Sequence, residues 1–148
     1  MIGVRVGDVF RKSVRIDAES IRAFATLSGD MNPLHHDAAA AADGPFGALI
    51  ASGPQLAALM MGLDATHFSA AGVALGLGFE FKFVKAVPAG TRLVLEWVVA
   101  RCDYKPSLAG WIVGVDGTAR GDDGALFVSA RGSHLVSARV GDAQREAS

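Results

Sequence analysis

The chain has a single cysteine, Cys102. One thiol excludes an intrachain disulfide and a cysteine-rich metal site. Its place at the end of an apolar strand pattern reads as a small packed residue, not a nucleophile. An excess of one charge is also missing: 14 basic against 15 acidic residues give a net charge of −1. Nothing therefore steers the chain toward nucleic acid, and a phosphate-bearing ligand would need a local basic patch. The longest apolar run, residues 48–63, is interrupted by Ser52 and Gln55 and is too short to span a bilayer. The start, Met1-Ile2-Gly3-Val4-Arg5, lacks the charged and apolar regions of a secretory leader, so a cytoplasmic location is expected and no membrane partner. There is no glycine-rich phosphate loop, no internal repeat and no linker. His67 and His134 stand alone, and Asp30, His35, His36 and Asp37 form no buried three- or four-ligand pattern. No metal and no cofactor are expected.

What is present fits one domain over residues 1–148. Hydrophobic residues make up 51% of the 148, enough for a well-buried core in a domain of ordinary size. Residues 2–16 alternate loosely around Gly7-Asp8, which predicts a short strand and a turn. Asp17 can cap a helix over 18–28 with Ile21, Phe24, Ala25 and Leu27 near one face, and Gly29 supplies the stop. A short helix is predicted within 37–44, capped by Asp37. Ser52 is an N-cap candidate, Pro54 falls in the first turn, and Gln55 stands where a capping box needs it. The helix that follows, through Leu56, Leu59, Met60 and Leu63, is apolar on nearly every side and should be buried. From 73 onward the period becomes two, which predicts strands over 73–86, 91–102, 110–120 and 125–136. Asp123-Gly124 marks a tight hairpin. The tail, 138–148, is polar and should fray. Helices early and strands late give an α+β domain with one antiparallel sheet.

The densest polar stretch is Leu27-Ser28-Gly29-Asp30-Met31-Asn32-Pro33-Leu34-His35-His36-Asp37. It follows directly on the first helix and places Asp30, Asn32 and His35 on one compact loop. Pro33 fixes its own φ and biases Asn32 toward extended geometry, so the Asp30-to-His35 spacing is held. Asp and Asn also shape turns, so the cluster alone admits a structural reading. A carboxylate and an imidazole that converge on one water can share proton transfer, one as base and one as acid. Asn32 is either an orienting amide or a turn residue. His36 is expected to point away from its neighbour, in a structural or exposed role.

The blocks Phe24-Ala25-x-Leu27-Ser28-Gly29-Asp30-x-Asn32-Pro33-x-His35-x-Asp37 and Phe46-Gly47-x-x-Ile50-Ala51-x-Gly53 resemble the MaoC-like dehydratases in order and spacing. A third, weaker block runs Phe83-Val84-Lys85-Ala86-Val87-Pro88-Ala89-Gly90-Thr91. Together the resemblance covers most of residues 5–136. It implies a hot-dog fold, with an antiparallel sheet wrapped around a long buried central helix, a homodimer, and the acyl-thioester chemistry of fatty-acid metabolism. It also implies that Asp30 and His35 form a catalytic pair for hydration of trans-2-enoyl thioesters or dehydration of (R)-3-hydroxyacyl thioesters. The family's glycine at position 53 serves as an oxyanion donor. Helix N-termini offer unpaired N–H groups and a favourable dipole, so Gly53 can act in this way, or it can simply permit close packing. Many relatives carry His-Gly where this chain has Ser52-Gly53, and Pro54 removes the next N–H. The family's Pro-Val is Ala86-Val87 here. Ser52, Leu56, Met60, Met61 and Phe81 are candidates for substrate contact. Lys82, Lys85, Arg92, Arg101 and Lys105 are candidates, by type alone, for the phosphates of CoA; the carrier is acyl-CoA or acyl carrier protein. Two rival readings remain: a hot-dog acyl-CoA thioesterase, and a non-catalytic acyl-thioester-binding subunit.

Overall fold

The computed structural model describes residues 2–138; the tail predicted to fray lies, but for Ala138, outside them. The chain opens with strand β1 (Val9–Ile16) and helix α1 (Ala18–Ser28). Asp17 caps α1 by accepting the Ser20 N–H at 2.7 Å. Gly29, in the left-handed region at φ 75°, ends it, and the Asp30 N–H closes the last turn on Ala25 O at 2.9 Å, a Schellman-type stop. A short 3₁₀ turn (Pro33–His35) and helix α2 (Ala38–Ala42) follow. Asp37 caps α2, as expected, by accepting both the Ala39 and Ala40 N–H groups at 3.0 Å.

Helix α3 runs over Gly53–Ala71, eight residues beyond Leu63, where the apolar pattern ended. Strands β2 (Val73–Phe83), β3 (Thr91–Lys105), β4 (Gly110–Gly121) and β5 (Leu126–Ser137) complete the chain. All pairs are antiparallel and the sheet order is β1-β3-β4-β5-β2. The Asp123-Gly124 hairpin forms, with Gly124 at φ 81° and its N–H on Gly121 O at 2.9 Å.

Alternation builds the concave face. Leu93, Leu95, Trp97 and Val99 of β3, with Val113 and Val115 of β4, are at most 1% exposed. The sheet can close over Trp97 and Phe79 only because glycines lie beneath them. A Cβ on Gly117 would come within 2.4 Å of the Trp97 ring, and one on Gly132 within 2.5 Å of Phe79. Against this face α3 lays a stripe spaced by four, Leu56, Met60, Asp64 and Phe68, all buried. Trp97 Nε1 donates to Met60 O at 2.9 Å and ties helix to sheet.

The expectation of an all-round buried helix needs correction. Ala58, Met61, Gly62 and Ala65 on the opposite side are exposed, because one curved sheet covers one side of a helix. The reading of His134 as solitary is also corrected. Its Nε2 lies 2.9 Å from Asp64 Oδ2, an ion-pair distance without hydrogen-bond alignment, and Asp64 Oδ1 has no partner. His67 stacks on Phe10 with centroids 3.7 Å apart. Among the described residues no helix is long and apolar enough to cross a membrane.

Candidate active site

The loop after α1 is a chain of local hydrogen bonds. Asp30 Oδ1 accepts the Asn32 N–H at 3.0 Å, and Asn32 Oδ1 accepts the Leu34 N–H at 3.1 Å. Asn32 thus orients Asp30 through its main chain, while its amide serves the turn and caps the 3₁₀ segment. That turn aims His35 inward, where it is 6% exposed. Residues 49–51 receive it: Ile50 N–H donates to Leu34 O at 3.1 Å, Ala51 N–H to Val87 O at 2.9 Å, and Ala89 N–H to Leu49 O at 2.8 Å. Held in this way, Ile50 O meets His35 Nδ1 at 2.7 Å.

A carbonyl can only accept, so His35 carries a proton on Nδ1, and the neutral ring presents a bare Nε2. That nitrogen lies 3.4 Å from Asp30 Oδ2. Two acceptor atoms at this separation cannot bond to each other without a proton between them. A water that donates one hydrogen to each would satisfy both.

The start of α3 adds the third element. Ser52 Oγ accepts the Gln55 N–H at 3.2 Å, and the Leu56 N–H goes to Ser52 O at 3.3 Å. Pro54 has no N–H. The Gly53 N–H alone in this first turn has no partner among the described residues. A Cβ at Gly53 would meet the Phe83 ring at 2.9 Å, so glycine is also what lets Phe83 lie against the helix start.

His35, Gly53 and Leu56 border one cleft of about 290 Å³, walled by Phe46, Ile50, Phe83, Val84 and Lys85. Larger hollows lie on the outer face of the sheet, where Arg131 pairs with Asp116 at 3.4 Å, and between α1 and α3 beside Phe24, Leu27 and Leu59, but neither Asp30, Asn32 nor His35 borders them. Four of the five substrate-contact candidates do not border the cleft. Ser52 is 3% exposed and turned to its cap, and Met60 is sealed in the core at 0%. Phe81 is stacked between Phe79 and Phe83. Met61 lies on the open side of α3. Of the five cations singled out, only Lys85 borders the cleft. Arg92 and Arg101 face Asp122 and Asp103, Lys82 lies in an outer-face hollow with Glu80 and Asp116, and Lys105 precedes the Pro106–Leu108 turn. The sequence reading also missed Phe46 and Phe83 as wall residues, although both stand inside the blocks it quoted.

Cys102 is half-buried, with Sγ 3.9 Å from Val4 O. Burial first, then the charges of Asp103 and Asp8, push its thiol above the ordinary value, the opposite of what a nucleophile needs.

A helix clasped by an antiparallel sheet, with a polar loop and a free helix N-terminus at one end, defines a hot-dog domain with one candidate site. Residues 6–109 match the family model described as MaoC like domain, and the chain belongs to that family. The (R)-specific enoyl-CoA hydratase of Aeromonas caviae is 41% identical over 80 residues, 53% of this chain and 60% of the relative. The 3-hydroxyacyl-thioester dehydratase Z of Mycobacterium tuberculosis is 35% identical over 83 residues, 54% of this chain and 55% of the relative. The match thus spans little more than half the length of these curated relatives. A solved (R)-hydratase from A. caviae superposes with a TM-score of 0.80 at 30% identity, covering 90% of this chain and 98% of that one.

Proposed function

We propose that this protein adds water reversibly to trans-2-enoyl thioesters to give (R)-3-hydroxyacyl thioesters. The observation that carries the proposal is the pairing of Asp30 Oδ2 with His35 Nε2 at 3.4 Å, where His35 borders the same cleft as Gly53 and its unpartnered N–H. Relatives named (R)-specific enoyl-CoA hydratase and 3-hydroxyacyl-thioester dehydratase Z support this reading.

Hydration places the water oxygen on C3 and a proton on C2, with enolate-like charge on the thioester oxygen in between. The pair supplies the proton steps: one member takes a proton from the water and the other delivers one to C2. The Gly53 N–H, at the positive end of a 19-residue helix, is the donor for the developing charge. Phe46, Ile50, Leu56 and Phe83 provide apolar walls that keep bulk water from the enolate.

The reading includes an acyl-CoA carrier, supported by Lys85. Its ammonium lies 5.2 Å from the Phe127 ring centroid and has no ion-pair partner among the described residues. It also includes a homodimer in the cytoplasm. Support for the dimer is the edge strand β2, whose Val73, Leu75, Leu77 and Phe83 are about half exposed, and the open apolar side of α3.

The test is loss of enoyl absorbance from a short trans-2-enoyl-CoA. Asp30→Asn and His35→Ala should each lower kcat by about 10²- to 10⁴-fold while the protein stays folded. Turnover that survives both substitutions would refute the assignment. Thiol release from a saturated acyl-CoA would indicate hydrolysis instead.

A further inference from the structure

His36 was expected to point away from His35, in a structural or exposed role, and it does turn to the other side of the loop. Its Nε2 meets Asp30 O at 2.6 Å, in a half-buried position. Since a carbonyl only accepts, His36 is the donor and keeps its proton on Nε2 whether the ring is neutral or charged. Consecutive histidines of one turn therefore serve opposite sides of the loop: His35 reaches inward to Ile50 O, and His36 reaches back to the residue that starts the loop.

His36 is itself anchored. Its N–H donates to Pro33 O at 3.1 Å, and its carbonyl accepts from Arg22 Nε of α1 at 3.3 Å. The connections form a closed ring, from α1 through Arg22 to His36, from His36 to Asp30, and from the Asp30 N–H back to Ala25 O of α1. Within that ring Asp30 is the part that most needs holding. Its side chain is 35% exposed, and the one hydrogen bond on its carboxylate comes from Asn32, itself exposed like Met31, so the loop around it is only lightly held.

We infer that His36 is a positioning residue for Asp30, fixing its carbonyl and with it the carboxylate that faces His35. The inference rests on the reading given under Proposed function. Without this bond the Asp30 peptide can turn, and the 3.4 Å spacing to His35 is no longer enforced. Proton transfer is sensitive to such displacements.

The experiment compares His36→Leu and His36→Gln in the native and Asp30→Asn backgrounds, with a short trans-2-enoyl-CoA and enough enzyme to follow the residual rate. His36→Leu should lower kcat about tenfold with KM within about twofold. His36→Gln, whose amide can still donate, should restore most of the rate. In the Asp30→Asn background His36→Leu should cost nothing further, because the group it positions is already gone. An equal loss in both backgrounds, or none in either, overturns the inference. If His36→Leu does not fold, His36→Asn, whose amide is too short to reach, takes its place. Ring ¹⁵N spectra of the native protein supply a readout independent of turnover: the Nε2-protonated form of His36 is expected, and the Nδ1-protonated form overturns the inference. Failure of the native protein to turn over any enoyl thioester would sink the hydratase reading alone.

Discussion

Gly53 carries two demands that pull on different atoms. In the proposed reaction its N–H must stay free, and its missing Cβ makes room for Phe83. Substitution can separate them. Gly53→Ala keeps the N–H and displaces a ring that is about half exposed and free to move, so kcat should hold while KM rises a few-fold. Gly53→Pro is compatible with a first helical position but deletes the donor, and kcat should fall by a further factor of about 10². Equal kcat for the two variants would remove Gly53 from the oxyanion role. Lys85→Ala should raise KM about fivefold for a CoA thioester and leave KM unchanged for a truncated thioester without phosphates. An equal change on both would detach Lys85 from the carrier. For Cys102 the sign follows from its raised pKa: at a given pH less thiolate is present than in an ordinary thiol. Alkylation at pH 8 should run slower than for free cysteine and accelerate as pH rises. Cys102→Ser should leave turnover intact.

Elements here depend on partners distant in sequence. Helix α3 extends past Leu63 although Asp64 and His67 interrupt its apolar pattern. Asp64 faces His134 of β5, and His67 stacks on Phe10 of β1. Burial of such a pair gives little net stability, but breaking it leaves a charge stranded. His134→Val should therefore cost roughly 3–5 kcal/mol and lower Tm by ten degrees or so. The double variant Asp64→Leu with His134→Val should recover most of that loss. Equal Tm for the single variant and the native protein would show that Asp64 does not depend on His134 for its place in the core. The same reasoning shows which element boundaries were legible. Helix α1 was bracketed by Asp17 and Gly29, which act within a few residues, and its limits could be read directly. The last two turns of α3 could not be read from the apolar pattern, because no local signal announces a partner seventy residues away, although Gly72 marks where the helix stops.

At the scale of the molecule the edges of the sheet are β1 and β2; β2 exposes the larger apolar set, and α3 has one side that the sheet leaves uncovered. A second copy that covers both would remove about half-exposed Leu75 and Leu77 from water. Light scattering should give a mass of about 30 kDa, twice the 15.3 kDa of one chain, and Leu75→Lys with Leu77→Lys should shift it toward 15.3 kDa. A native mass of one chain would refute the dimer.

The sequence by itself determined what acts over short range. The turn chemistry of Asp30, Asn32 and Pro33, the caps at Asp17, Asp37 and Ser52, and the two-residue period of the strands each depend on neighbours a few positions away. The Asp30–His35 spacing was legible for the same reason. Tertiary structure decided what depends on through-space partners. Ile50 O selects the His35 tautomer, Phe83 closes on Gly53, Lys85 alone among the candidate cations reaches the cleft, and His36 turns back to Asp30 O. Met60 was read as pocket and proved core because the stripe of α3 that faces the sheet is set by sheet curvature, and the period of the helix cannot say where a cleft ends and a core begins.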